Sequence, residues 1–426
     1  MDAPRTPQEG LDFLASRSPS TVVLGLERMQ EALEELGHPE LLLRSVQVGG
    51  TNGKGSTCAF LDSILRSAGH RVGLYTSPHL VSVNERIQVG GVPIEDETLG
   101  TRVVEVLRKA PAAMGATYFE LVTLAALEHF ARCQVEVAVL EVGLGGRLDA
   151  TTAARPRLTG ITRVGRDHME FHGDTLEAIA REKAAILRKG VPGVVAEQRP
   201  EALVVLETSA SWVGAPLLIE GRDFSLDGLG RYRGPELALD GLAPALHGEH
   251  QHHNAAVAVT CAHLLEQQGV SVGAEAIRTG LQRTRWPGRL EQVPGHPPLL
   301  LDGAHNEDGV AALVAALDAV PYAGRAVHLV FGVVSDKRVE PMLRMLLPRC
   351  ASATFTPVPS PRTLDPATYV TLARSLCPAV DVAASPEEAV ARARVRAGPD
   401  AWVLVAGSLY LVGAVKALLE HTAPPR

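Results

Sequence analysis

The sequence predicts an α/β protein: a parallel-sheet domain built around a glycine-rich phosphate loop (P-loop), followed by a smaller Rossmann-like α/β domain. Three observations carry that expectation. Strand-like apolar runs alternate with helical periodicities from residue 41 to residue 190, the pattern of a parallel sheet whose crossover helices cover both faces. A glycine-rich segment, GTNGKGS at residues 50–56, stands between the first such strand and the helix after it. A second alternating series begins near residue 291.

Taken in order, TVVLGLERMQEALEELG (residues 21–37) shows apolar spacing of three and four and ends in glycine, predicting a helix with its C-cap. LLLRSVQVGG (41–50) reads as a short buried strand and STCAFLDSILRSAGH (56–70) as a helix. RVGLYTS (71–77), VEVAVLEVG (135–143) and RLTGITRV (157–164) read as strands, FELVTLAALEHFARC (119–133) and TLEAIAREKAAILRKG (175–190) as helices. The second series runs PPLLLDGAH (297–305), AVHLVFGVV (326–334), SATFTPV (352–358) and AWVLVAGSLYLVGAVKALLEH (401–421). Between the series, RTRWPGRLEQVPGHPP (283–298) is rich in proline, glycine and arginine and marks the junction. Domains over 1–288 and 291–426, with a cleft between them, are expected.

A chain of 426 residues, 46% hydrophobic and 21% charged, has ample length for two cores. A net charge of −7, without long basic blocks, argues against nucleic acid or an anionic membrane as partner. Five scattered cysteines without CxxC spacing suit reduced thiols. With no signal-like start and no long uncharged apolar stretch, the expected location is the cytoplasm.

The phosphate loop carries the chemistry. Unpaired N–H groups in a glycine-rich turn and at a helix N-terminus favour an anion. Lys54 would supply charge to β- and γ-phosphates, and Ser56 a hydroxyl to Mg²⁺. The strict GxxxxGK[ST] pattern is not met, since Val48 stands where its first glycine would and Gly55 separates Lys54 from Ser56. A ligand-free glycine turn is the plain alternative. A dinucleotide fingerprint at EVGLGGRLDA fails because Leu148 occupies its last glycine position.

Magnesium takes hard oxygen ligands and few of them from protein. Glu141, at the end of a buried strand, is a candidate beside Ser56; a solvated strand end is the alternative. Asp167 and His168 stand at another strand-to-helix crossing, as ligands or as a simple turn. The histidines His247, His250, His252 and His253 fit no standard zinc spacing.

With these pieces in order, the chain resembles the folylpolyglutamate synthase/dihydrofolate synthase group of Mur-type ATP-dependent amide ligases. The likeness rests on LGLERM, GTNGKGST, YTSPHL, NERIQV, TYFELVTLAAL, LEVGLGGRLDAT, DHMEFHGDTLEAIAREKAAI, HQHHNAA, PGRLE, LDGAHN and AGSLYLVG, in order along nearly the whole chain. It implies ATP contacts at Thr51, Asn52, Gly53, Lys54, Gly55, Ser56, Asn254, Arg289 and Asp302. It implies magnesium ligands at Ser56, Ser77, Glu141 and His168, with two Mg²⁺ ions and room for a monovalent cation. Thr117, Tyr118, Phe119, Glu120, Leu148, Asp149 and Ala150 would meet the pterin-bearing substrate.

Lys183 matches the position that the family carries as a carbamate; its plain alternative is an exposed helix cation paired with Glu182 or Glu177. His305 and Ser408 are glutamate contacts by resemblance, and Arg362 is a candidate carboxylate clamp from its own chemistry. Catalysis is expected from Lys54, Lys183 and His168. Thr152, Arg166, Met169 and Ala185 depart from the usual pattern without removing a proposed ligand.

The resemblance implies ligation of L-glutamate to a pterin-containing carboxylate through an acyl phosphate, on dihydropteroate, on reduced folates, or on both. A monomer acting on small molecules alone is expected. The cell-wall peptide ligases carry a UDP-sugar domain ahead of the loop, for which the residues before 49 leave too little chain, and a guanine-reading NKxD segment is absent.

Overall fold

The computed structural model describes residues 4–18, 21, 23, 25–167, 173 and 175–422. Its first sheet has eight strands in the order β4-β3-β2-β5-β1-β6-β7-β8: β1 Arg44–Gly49, β2 Val72–Tyr75, β3 Ile87–Val89, β4 Val92–Pro93, β5 Val137–Glu141, β6 Leu158–Ile161, β7 Gly193–Val195 and β8 Leu217–Ile219. All pairings from β2 through β8 are parallel; β3 and β4 add an antiparallel edge.

Strand alternation divides the core between two faces. Val46, Val48, Val137 and Val139 pack with Phe60, Leu61 and Ile64 of helix Lys54–Ser67, and with Val257 and Val259 of helix His250–Gln267. Tyr75, Ala138 and Leu140 pack on the opposite face with Leu121, Val122 and Leu124 of helix Tyr118–Arg132. Gln47 points to that second face and is buried, so it needs partners. Its amide donates to the hydroxyls of Thr151 (2.9 Å) and Thr152 (2.8 Å). Thr152, one of the departures noted above, also donates to the Gly146 carbonyl at 2.7 Å.

A small antiparallel sheet follows: β9 Ser225–Leu226, β10 Tyr232–Gly234 and β11 Leu237–Leu239. The second large sheet is ordered β12-β13-β17-β14-β15-β16. Its strands are β12 Glu291–Val293, β13 Leu299–Leu301, β14 Val327–Phe331, β15 Ser352–Phe355, β16 Val380–Val382 and β17 Trp402–Ala406. Only β12 runs antiparallel. Leu300, Leu329, Phe331 and Leu404 face helices Glu307–Leu317 and Val339–Leu346, while Leu299, Leu301, Val403 and Val405 face helices Pro386–Arg396 and Leu409–Thr422. Burial on both faces is why these strands read as unbroken apolar runs.

Three expectations need correction. The helix placed over 21–37 is Glu27–Glu35; Gly25 has φ +136° and Val23 is exposed, so the apolar spacing ahead of Glu27 is not a buried helical face. The terminating glycine is in place: Gly37 has φ +77°, and His38 N–H reaches the Leu33 carbonyl at 2.8 Å. The helix placed over 175–190 ends at Ala184, because Ile186 and Leu187 are buried as turn residues against the same core. Ala185 caps it at φ −69°, which asks for no glycine. Part of the junction, Glu291–Val293, is an edge strand of the second sheet. Among the described residues, no helix is long and apolar enough to cross a membrane.

Candidate active site

The C-terminal strand ends of both large sheets face one cavity of about 1260 Å³. On the first sheet, β1 lies between β5 and β6; the crossover from β1 to β2 and the one from β5 to β6 run in opposite directions, which opens a crevice at the end of β1. The phosphate loop fills that crevice. Gly50 has φ +134°, and a Cβ there would fall 2.0 Å from the Thr162 hydroxyl; Gly53 has φ +94°, and a Cβ there would fall 2.1 Å from Asn254 Oδ1. Both positions require glycine sterically as well as conformationally. The helix starts at Lys54 with Gly53 as N-cap and no side chain capping it. Its first N–H groups therefore lack a capping side chain, as an anion site needs. Lys54 Nζ arches back to the carbonyls of Gly50 (3.3 Å) and Thr51 (3.2 Å).

Glu141 ends β5 beside Val48 in register. Its carboxylate accepts from Ser77 N–H at 3.0 Å. Burial raises its pKa, opposed first by the Lys54 charge. Ser56, Ser77 and Glu141 all line the cavity; His168, the remaining expected metal ligand, lies outside the described residues. Among the described residues, no group of three His, Cys, Asp or Glu side chains could hold a metal. The clustered histidines separate onto different partners: His247 meets the Tyr322 ring edge-on, and His253 Nδ1 lies 2.8 Å from Glu220. His250 is held near 4 by burial.

Lys183 is buried, not exposed, which removes the surface-cation alternative. Glu182 pairs instead with Arg147, at 3.3 Å. Burial, and secondarily the Lys54 charge, lowers the Lys183 pKa to about 7. A neutral amine at neutral pH is thereby available on the cavity wall.

Thr117, Phe119, Glu120, Leu148, Asp149 and Ala150 also line the cavity. Tyr118 does not: it shares the buried helix face with Leu121 and Val122, and its ring lies beneath the Arg86 guanidinium at 5.4 Å. Glu120 closes a capping box with Thr117 and binds Arg28 at 2.9 Å. Asp149 accepts from the N–H groups of Gly143, Leu144 and Thr151 at 2.9–3.0 Å. The carboxylates of Glu120 and Asp149 thus shape the wall before any ligand arrives.

From the second sheet come Asp302, His305, Arg362 and Ser408. Asp302 accepts from Leu290 N–H and Ala304 N–H, both at 2.9 Å, tying the junction to β13. His305 Nδ1 donates to the Gly303 carbonyl at 2.7 Å. Arg362 Nη1 lies 3.5 Å from Asp336, so part of its charge is spent within the domain. Lys337, Asp336, Asn306, Arg86 and Arg199 also line the cavity or bind residues that do, and sequence reasoning missed them. The available signal was their position, in loops that follow strands of a parallel sheet.

A phosphate-loop domain and a second α/β domain that share one cleft define an ATP-dependent ligase of the Mur type. The Mur ligase middle domain model matches residues 48–197, and the Mur ligase glutamate ligase domain model matches residues 288–409. The chain is 35% identical to the dihydrofolate synthase/folylpolyglutamate synthase of Bacillus subtilis (strain 168), over 97% of this chain and 99% of that one. It is 34% identical to the folylpolyglutamate synthase of Lacticaseibacillus casei, over 92% and 94%. E. coli FolC in complex with DHPP and ADP superposes with a TM-score of 0.87 at 32% identity, covering 99% of both chains. A bifunctional folylpolyglutamate synthase/dihydrofolate synthase with Mn, AMPPNP and L-glutamate bound gives 0.87 at 33%, again over 99% of both. This chain belongs to the dihydrofolate synthase/folylpolyglutamate synthase family.

Proposed function

We propose that this ligase is bifunctional, adding L-glutamate both to dihydropteroate and to reduced folates that already carry glutamate. The observation that carries the reading is a single cavity. Its phosphate-loop side offers an uncapped helix N-terminus, Lys54 and the buried Glu141; its other side offers His305, Arg362 and Ser408. The two substrates share a pterin and differ in the carboxylate presented, so one cavity of this size suits both. The alternative is a monofunctional folylpolyglutamate synthase, which would turn over reduced folates and leave dihydropteroate untouched.

The residues fit a divalent cation. Glu141 is a buried carboxylate with its pKa pushed up by desolvation, a charge deficit that a cation would correct. Ser56 and Ser77 supply hard oxygens on the same wall, with His168 the fourth candidate. These residues would hold magnesium, expected as two ions, which would supply charge neutralisation to the phosphates; a monovalent cation is a further expectation. Thr51 to Ser56 hold the triphosphate through backbone N–H groups, with Asn254, Arg289 and Asp302 around the nucleotide.

Lys54 neutralises charge as the substrate carboxylate oxygen attacks the γ-phosphorus and ADP leaves. The α-amine of glutamate, held by His305, Arg362 and Ser408, then attacks the acyl-phosphate carbonyl and displaces phosphate. Lys183, as a carbamate, provides an anion on the metal side; as a neutral amine it is prepared to take up CO₂. The pterin lies along Thr117, Phe119, Glu120, Leu148, Asp149 and Ala150. ADP release measured with 7,8-dihydropteroate and with tetrahydrofolate, each with and without glutamate, tests the reading. Glutamate-dependent turnover with both supports bifunctionality; turnover with only one reduces the enzyme to that activity.

A further inference from the structure

Asp167 is one of the points at which the second domain grips the first, and the one most enclosed by polar groups of that domain. Its Oδ1 lies 2.5 Å from Lys337 Nζ; its Oδ2 accepts from Asn306 Nδ2 at 3.0 Å and lies 3.4 Å from His305 Nε2. The side chains of Asp167 and Lys337 are only 8% and 7% exposed. Asn306 in turn exchanges two 3.0 Å amide hydrogen bonds with Asn52 of the phosphate loop, and it caps helix Glu307–Leu317 by accepting from Gly309 N–H at 2.9 Å. Farther out, Arg199 reaches Asp308 at 2.6 Å. This part of the domain contact is a polar cluster on the cavity wall; elsewhere Leu80 packs against the apolar core of the second domain and His247 meets the Tyr322 ring.

Lys337 also stands 3.1 Å from Asp336 Oδ2, within ion-pair distance though not aligned as a hydrogen bond. Two carboxylates on one ammonium leave it little field to offer a phosphate. We infer that Lys337 is a positioning residue: by engaging Asp167 it holds the domains shut over the acyl phosphate and so decides whether glutamate or water receives the acyl group. With the clasp open, a water oxygen attacks the acyl carbonyl and the bond from that carbon to the phosphate oxygen breaks. Carboxylate and inorganic phosphate form, and the proton passes to solvent. ATP is then spent without ligation.

The inference rests on the ligase reading above. Its test compares full-length wild type with Lys337→Met, Lys337→Arg and Asp167→Asn, measuring ADP and ligated product in the same reaction. MgADP affinity and the radius of gyration with AMPPNP and tetrahydrofolate are measured in parallel. The wild type should give one ADP per product. Lys337→Met should raise that ratio several-fold, raise the KM for glutamate by about tenfold, enlarge the particle, and leave the MgADP Kd within about twofold. Lys337→Arg should restore the ratio toward one. Asp167→Asn keeps the shape and loses the charge, so it should uncouple as well, even if Lys337→Met fails to fold. A ratio that stays at one in both Lys337→Met and Asp167→Asn overturns the inference, as does loss of MgADP binding in Lys337→Met, since Lys337 would then act on the reactants directly. Failure of the ligase reading looks different: wild type would make no glutamate-dependent product.

Discussion

Asn52 and Asn306 stand 254 positions apart and face each other across the domain boundary, each amide donating to the other's carbonyl at 3.0 Å. Each contributes one donor and one acceptor, so the pair is fully matched, and Asn306 has a second donor hydrogen for Asp167. The amide chemistry is what makes the contact possible; a carboxylate at either position would present oxygen to oxygen.

Asn306→Asp isolates that matching. The new side chain still accepts from Gly309 N–H, so the helix cap survives and thermal stability should change by less than about 1 kcal/mol. It still accepts from Asn52 Nδ2 but can no longer donate to Asn52 Oδ1 or to Asp167, where two carboxylates now repel each other. We expect kcat/KM to fall by about 10- to 100-fold, from lost hydrogen bonds of about 1–3 kcal/mol. Steady-state kinetics beside calorimetry checks this; a large stability loss with unchanged kinetics would assign the residue to folding alone.

Lys54→Ala removes the ammonium over the phosphate loop and leaves the core of the domain untouched. ATP-dependent ADP release should drop by about 10³-fold or more, with an unchanged circular dichroism spectrum. Retained turnover would refute the role given to this lysine.

Lys183 makes a prediction about pH with a definite sign. Its pKa is depressed by burial from the ordinary 10.5 to about 7. Between those values the unfolded chain holds the proton and the folded chain does not, so stability should rise with pH across that window. Lys183→Met should abolish that slope and be the more stable protein at neutral pH. Activity of CO₂-depleted wild type should return with bicarbonate above pH about 7 and recover poorly below it, where the amine is protonated. Full activity of Lys183→Ala without added bicarbonate or acetate would end the carbamate assignment.

Glu141→Gln tests the metal wall. Without its charge, half-maximal activity should need about 10- to 100-fold more magnesium, while the metal-free protein melts higher because a desolvated carboxylate has been removed. Isothermal titration with Mn²⁺ and a thermal scan in chelator measure both. An unchanged metal requirement would place the cation elsewhere.

Much of this arrangement was legible because its causes are local. The glycine loop, the apolar runs and the capped helices depend on residues near one another in the chain, and the strand–glycine turn–helix order around Gly50, Gly53 and Lys54 is readable before the fold is known. Lys183 shows where locality ends: its helix reads as amphipathic, but only the assembled fold reveals the lysine as buried. The helix expected over residues 21–26 failed because apolar spacing cannot report that Val23 has no core to enter. Tyr118 sits beside two cavity residues yet turns inward, a choice made by helix phase. Lys337 and Asp167 are 170 positions apart and belong to different domains, so their pairing had no sequence signature.

The chain carries a net charge of −7, yet triphosphate, pterin carboxylate and glutamate are all anions that must gather in one place. Helices beginning at Lys54, Tyr118, His250, Glu307 and Leu409 all start at or beside the cavity wall. The one at Lys54 has no capping side chain and presents the positive end of its dipole there, roughly half a unit charge, whereas those at Tyr118 and Glu307 are already answered by Thr117 with Glu120 and by Asn306. Acidic and basic side chains are interspersed along that wall, so an incoming anion meets local points of positive charge instead of a uniform field, and capture should slow as ionic strength screens them.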